Sequence, residues 1–118
     1  MNKSEDTKIG PFRYFPAVVL VAMIAVTTWA SVEKSLGEGF RLLFAERWGI
    51  ATLFDAYFGF LTFYAWVHYK ESSWTARVLW LATILFFGNI AMAIYLAREL
   101  WRLPPGGGVE TLLLRKRA

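Results

Sequence analysis

The residue with the most chemical potential in this sequence is Asp55, a carboxylate inside a long apolar segment. In a membrane such an acid costs about 2.5–3.5 kcal/mol at the bilayer centre, and less near the surface. It can serve as a proton or cation site, particularly in an oligomer, or it can bond helices together. The apolar stretches 14–32, 48–67 and 78–97 contain no second acid and no buried base, which favours the structural role.

Other polar side chains are predicted to lie at the same depth. Asn89 lies eight residues before Ala97, which places it about 12 Å from the same surface as Asp55. We predict an intramembrane polar cluster in which Asp55 bonds Asn89, a threonine or both. The threonines are Thr27, Thr28 and Thr52.

His68 is the sole histidine and is a candidate cofactor ligand, because imidazole binds haem or a chlorophyll magnesium. The alternative is a histidine at headgroup depth, polar at one edge and apolar at the other. The chain has no cysteine, which excludes disulfides and thiolate metal sites. No nucleophilic side chain has the spacing to a general base that catalysis requires. We therefore expect that the protein is not an enzyme and binds no metal and no cofactor.

The elements that position these residues are predicted to be three transmembrane helices. The sequence is 57% hydrophobic and 18% aromatic, well above a soluble domain, and its charges flank long apolar segments. Each segment is long enough to cross a bilayer as a helix. We predict an all-α, multi-pass protein of a bacterial inner or plasma membrane, with spans at 14–32, 48–69 and 76–101 and with lipid as its solvent.

The flanking segments are predicted to be polar or amphipathic. Residues 1–13 form a polar tail, and the first span has the alternative of being a cleaved signal peptide. Leu36, Phe40, Leu43 and Phe44 follow helical spacing and predict an interfacial amphipathic helix, with an irregular loop as the alternative. Residues 104–118 form a flexible basic tail that could rest on anionic lipid headgroups.

The distribution of basic residues bears on partners and orientation. The net charge of +4 does not form the continuous basic stripe that nucleic-acid binding requires, so we expect no nucleic-acid partner. If three spans alternate, five Lys and Arg residues lie on the N-terminal side and eight on the C-terminal side. The positive-inside rule then places the C-terminus in the cytoplasm and the N-terminus outside.

One stretch of the chain has a recognisable pattern. It comprises Trp48 to Asp55, then Tyr57, Gly59, Phe63, Trp66, Tyr69, Lys70 and Glu71, and finally Trp80 with Gly88 to Leu96. Over residues 48–97 the sequence resembles small bacterial integral membrane proteins of a domain-of-unknown-function family. The resemblance implies a membrane protein of about this size and implies no activity.

These patterns favour a small membrane protein that acts through helix packing. We expect a non-enzymatic accessory or assembly subunit of a larger membrane complex, or a homo-oligomer. An alternative is a small oligomeric transporter or ion pathway that uses Asp55, and a third is a pigment- or quinone-binding subunit.

Overall fold

The computed structural model describes residues 9–104 and 106–115, which are helical with short connections. A 3-10 helix leads directly into α1, and five further helices follow it. Their bounds are Gly10–Tyr14 for the 3-10 helix, then Phe15–Glu33 (α1), Leu36–Phe44 (α2), Arg47–Lys70 (α3), Trp74–Phe87 (α4), Asn89–Trp101 (α5) and Val109–Leu113 (α6).

Two of these elements are long and apolar enough to cross a membrane. They are Gly10–Glu33 and Arg47–Lys70, of 24 residues each. At the rise of an α-helix each spans about 36 Å, against about 30 Å of hydrocarbon. The helices predicted over 14–32 and 48–69 are therefore confirmed as long apolar helices.

The segment between them forms the helix that its apolar spacing predicted. Ser35 and Glu38 form a capping box, in which each side chain accepts a hydrogen bond from the other residue's backbone N–H. Phe40 and Phe44 face the first half of α3, where they line an apolar groove with Tyr57 and its neighbours. The turn into α3 is tight, because a Cβ at Gly49 would overlap the backbone of Leu43.

The third predicted span is not one helix. Helix α4 ends at Phe87 and α5 folds back along it from Asn89. The rings of Trp80 and Tyr95 are 4.8 Å apart between centroids, whereas fifteen residues of continuous helix would separate them by about 22 Å. The prediction of a single span over 76–101 is therefore wrong, and the segment is an antiparallel helical hairpin.

Gly88 makes this reversal. Its backbone has φ +54° and ψ −124°, a conformation that glycine adopts freely and L-residues rarely adopt. The ring of Phe60 packs directly against it, and a Cβ at this position would lie 2.6 Å from Phe60 Cζ. The absence of a side chain is thus needed both for the backbone angle and for the close approach of α3.

The hairpin packs on the second half of α3. The Tyr57 hydroxyl donates to the Leu85 carbonyl at 3.3 Å, and the Tyr64 hydroxyl donates to the Arg77 carbonyl at 2.9 Å. These pairs run in opposite directions along the chain, so α4 is antiparallel to α3 and α5 is parallel to it. A core of Val67, Ile84, Ala91 and Tyr95 fills the space between the three helices.

Several helix ends therefore meet at one end of the molecule, which we call the Lys70 end. It comprises the end of α3 at Lys70, the start of α4 at Trp74 and the end of α5 at Trp101. The start of α1 joins them, because the Tyr14 ring lies 6.4 Å from the Trp101 ring. In the three-span prediction, Lys70 and Trp101 lay on opposite sides of the membrane.

The described part of the C-terminal segment packs on the same end. Where the sequence predicted a flexible tail, α6 places Leu112 in a small core with Ile9 and Leu100. The N-terminal residues 1–8 of the predicted polar tail, and residues 105 and 116–118, lie outside the described residues.

Candidate functional site

Charged side chains from α3 and α5 form a cluster at the Lys70 end. The Lys70 Nζ lies 3.2 Å from Glu99 Oε1, and these two side chains are 9% and 11% exposed. The other carboxylate oxygen of Glu99 faces the guanidinium groups of Arg98, at 3.4 Å, and Arg102, at 3.6 Å. Glu99 thus holds together three cations.

The second carboxylate of the cluster follows α3 directly. Glu71 Oε2 accepts a hydrogen bond from the Tyr95 hydroxyl at 2.7 Å and faces Arg98 Nη1 at 3.3 Å. In this hydrogen bond the Tyr95 phenol is the proton donor and the Glu71 carboxylate is the acceptor. The Tyr95 ring also packs edge-on against Trp80 in the core. The cluster is therefore tied to the packing of the hairpin.

The same lysine fixes the C-terminal segment. Lys70 Nζ donates to the carbonyls of Leu112, at 2.7 Å, and Leu114, at 3.0 Å. The Trp66 indole donates to Leu113, and Arg115 Nε donates to the Tyr69 carbonyl. The bonds from Lys70 and Trp66 satisfy carbonyls at the end of α6, where a helix leaves its last carbonyls without intrahelical partners.

A cleft of about 260 Å³ opens beside this cluster, which we call the Arg102 cleft. It lies between the ends of α3 and α5 and the segment that contains α6. Its charged lining residues are Lys70, Glu71, Arg98, Glu99, Arg102 and Arg115. A polar cleft of this kind can bind a charged headgroup or ion; the residues that line it provide no nucleophile paired with a general base.

The predicted polar cluster around Asp55 has a different arrangement. Asp55 and Asn89 are both exposed, and within residues 9–104 and 106–115 no hydrogen bond joins either to the other or to a threonine. Thr52 donates to the Trp48 carbonyl of its own helix. Thr27 and Thr28 lie exposed on α1. The structure does not bring these residues together, and a role for Asp55 stays a prediction.

Asp55 instead lies in an exposed row on α3. Thr52 precedes it and Gly59 and Thr62 follow it at helical spacing, and all four residues are exposed; we call this row the Asp55 stripe. Gly59 has open space where a Cβ would project. Asn89 of the third predicted span was the expected partner of Asp55, whereas the hairpin that contains Asn89 packs on the face of α3 that carries Tyr57 and Tyr64.

His68 is held at the end of α3 by aromatic side chains. Its ring lies 5.9 Å from the Tyr64 ring and 5.5 Å from the Trp74 ring. Its backbone carbonyl accepts a hydrogen bond from Arg77 Nε at 3.0 Å. In the described part of the chain, no three His, Cys, Asp or Glu residues lie close enough to hold a metal.

Sequence reasoning missed the charged cluster. Glu99 and Arg102 have the i, i+3 spacing that is typical of a solvated pair on one helix, whereas Glu99 is nearly buried and also binds Lys70 of α3. The available signal was that Lys70–Glu71 and Arg98–Glu99 each pair opposite charges at the end of an apolar segment. This signal predicts contact between the two pairs only when the hairpin, which brings the ends of α3 and α5 together, is known.

The chain matches one protein family over nearly its whole length. The model of that family, described as "Protein of unknown function (DUF1475)", covers residues 4–116. Among curated proteins and solved structures, none matches the chain. The chain belongs to the DUF1475 family, which confirms the resemblance to a family of unknown function.

Proposed function

We propose that this DUF1475 protein is a multi-pass membrane protein with two spans, α1 and α3, and a re-entrant hairpin of α4 and α5. The outer surfaces of both spans support this placement, because they expose large apolar side chains such as Val21, Trp29 and Phe58. Water would make such surfaces costly, and lipid would not. The hairpin enters the bilayer from the Lys70 end and returns to it.

The proposed orientation places the Lys70 end in the cytoplasm. Six described Lys and Arg residues lie there, namely Arg13, Lys70, Arg77, Arg98, Arg102 and Arg115. Three lie at the opposite end, namely Lys34, Arg41 and Arg47. The positive-inside rule favours the richer side as cytoplasmic. In this arrangement, α6 is cytoplasmic as well.

We propose that the protein acts as a non-enzymatic subunit of a helical membrane assembly, built through the Asp55 stripe. The observation that carries this proposal is the exposure of Asp55 within an apolar helix. A carboxylate that faces hydrocarbon is costly, whereas one that bonds across a helix interface is tolerated. Thr52, Gly59 and Thr62 add the small and polar surface that lets two helices approach closely.

The test is a matched pair of substitutions in α3. Gly59→Leu fills the stripe, and Ala65→Leu adds similar bulk at an exposed position about 120° around the helix from Gly59. We expect the particle mass in mild detergent to exceed one chain for the parent and for Ala65→Leu, and to fall to one chain for Gly59→Leu. The excess mass identifies either a second copy or a different subunit.

Cross-linking in native membranes provides the second readout. The chain has no cysteine, so one introduced at Gly59 or at Ala65 reports on its own position. We expect adducts from Gly59→Cys and none from Ala65→Cys. A monomeric parent without adducts, or equal behaviour of the two positions, would refute assembly through the stripe.

The second candidate function is an ion or proton pathway that uses Asp55. The same exposed carboxylate favours it, because several copies around an axis would line a polar path. Asp55→Asn would then abolish proton flux in proteoliposomes and leave the particle mass unchanged. Flux that is equal in parent and variant would exclude this role.

A further inference from the structure

The Arg102 cleft contains more cations than carboxylates. Four of its lining residues are cationic and two are anionic, which leaves two positive charges in excess. The two carboxylates are turned inward: the Glu71 side chain is 13% exposed, and its Oε2 already binds Tyr95 and Arg98. Both oxygens of Glu99 also face cations. The negative charge of the cleft is therefore already compensated.

Lys70, the inner cation of the cleft, has no N–H donor left for a ligand. An ammonium group has three N–H donors, and Lys70 Nζ contacts Glu99, the Leu112 carbonyl and the Leu114 carbonyl. Its role is to hold the wall of the cleft.

The outer guanidinium groups do have capacity. Among the described hydrogen bonds and ion pairs, Arg98 uses only Nη1, and its side chain is 38% exposed. Arg102 is 56% exposed and approaches Glu99 through one nitrogen. Arg115 uses Nε for the Tyr69 carbonyl. Each guanidinium has five N–H donors in a planar fork that fits a phosphate group.

We propose that the Arg102 cleft binds the phosphate group of an anionic phospholipid, through the guanidinium groups of Arg98, Arg102 and Arg115. The lipid is the favoured source because exposed aromatic side chains surround this end of the molecule, as they do at headgroup depth. They are Tyr14, Tyr69, Trp74 and Trp101. This source rests on the membrane placement proposed above.

The experiment measures lipid binding by native mass spectrometry of the full-length protein in detergent. The ligands are phosphatidylglycerol, phosphatidylcholine and free glycerol phosphate. We expect phosphatidylglycerol to bind the parent at least about tenfold more tightly than either of the others. The variant Arg102→Gln/Arg115→Gln should lose about tenfold or more of this affinity. Both side chains are exposed, so the fold should persist, as circular dichroism would check.

The matched control removes two charges from the opposite end. Lys34→Gln/Arg41→Gln changes the net charge equally and should leave the affinity for phosphatidylglycerol unchanged. A second variant, Thr111→Asp, places a negative charge in the wall of the cleft and should weaken binding without removing an arginine.

Two results would overturn the proposal. Equal loss in the cleft variants and the control would show that binding follows net charge and not the cleft. Glycerol phosphate that binds as tightly as phosphatidylglycerol would assign the cleft to a soluble phosphate compound. Lipid binding is measured in detergent and does not depend on how the chain crosses a membrane. An error in the proposed topology would therefore be detected separately, by cysteine labelling in cells.

Discussion

Replacement of Gly88 by alanine should destabilise the protein, because the hairpin depends on that glycine in two ways. The backbone at Gly88 has φ +54°, where an L-residue is strained. The new methyl group would also lie 2.6 Å from Phe60 Cζ and 3.0 Å from Cε2, so the ring must move. That ring packs against the core between α3, α4 and α5.

The two effects act together. Strain of this kind costs about 1–3 kcal/mol, and overpacking costs about 1–3 kcal/mol. The lower entropy of the unfolded alanine chain offsets about 0.4–1 kcal/mol. We therefore expect Gly88→Ala to lower the free energy of unfolding by about 1–6 kcal/mol.

The assay is reversible unfolding in mixed detergent and SDS micelles, followed by tryptophan fluorescence. Gly39→Ala is the matched control, because Gly39 lies within α2 with open space at its Cβ position. It should be neutral or stabilising by up to about 1 kcal/mol. If the third segment were one continuous span, Gly88→Ala would instead raise the free energy of unfolding, because alanine favours a helix more than glycine does. A Gly88→Ala protein as stable as the parent would refute the hairpin.

Four further substitutions test the charged cluster by the same unfolding assay or by hydrogen exchange. Glu99→Gln should cost about 2–3 kcal/mol, because the nearly buried Lys70 loses its carboxylate, whereas Arg102→Gln should cost at most about 1 kcal/mol because Arg102 is largely exposed. Equal costs would contradict this geometry. Tyr95→Phe removes the bond to Glu71 and keeps the ring, so a cost of about 1–3 kcal/mol is expected; no change would show that the bond contributes nothing. Lys70→Met should raise amide exchange over residues 109–115, while Lys34→Met should not; unchanged exchange would mean that α6 is held by other contacts.

The sequence predicted the long helices well, because their length and apolar content depend on local residues. The first two predicted spans, 14–32 and 48–69, differ by one residue at each end from Phe15–Glu33 and Arg47–Lys70. The spacing of Leu36, Phe40, Leu43 and Phe44 likewise predicted a helix over the segment that forms α2. These features need no knowledge of what packs against them.

The hairpin could not be predicted in the same way. A hydropathy profile depends only on the residues along the chain. Two apolar helices folded together therefore give the same profile as one apolar span. Gly88–Asn89 was visible as a break in the apolar pattern, but the close approach of Phe60 that fixes its geometry is a tertiary contact. The charged cluster was missed for the same reason, because a single third span would place Lys70 and Glu99 on opposite sides of the membrane.

Topology is the central claim, and labelling of single cysteines in intact cells tests it most directly. The parent chain has no cysteine, so one residue is introduced at a time. The exposed positions are Ser72 between α3 and α4, Glu110 in α6 and Ala45 between α2 and α3. A maleimide that does not cross the membrane is added from outside, before and after permeabilisation.

We predict that Ala45→Cys reacts in intact cells, and that Ser72→Cys and Glu110→Cys react only after permeabilisation. Labelling of Ser72→Cys and Glu110→Cys from opposite sides would mean that the third segment crosses the bilayer, and it would contradict the re-entrant hairpin.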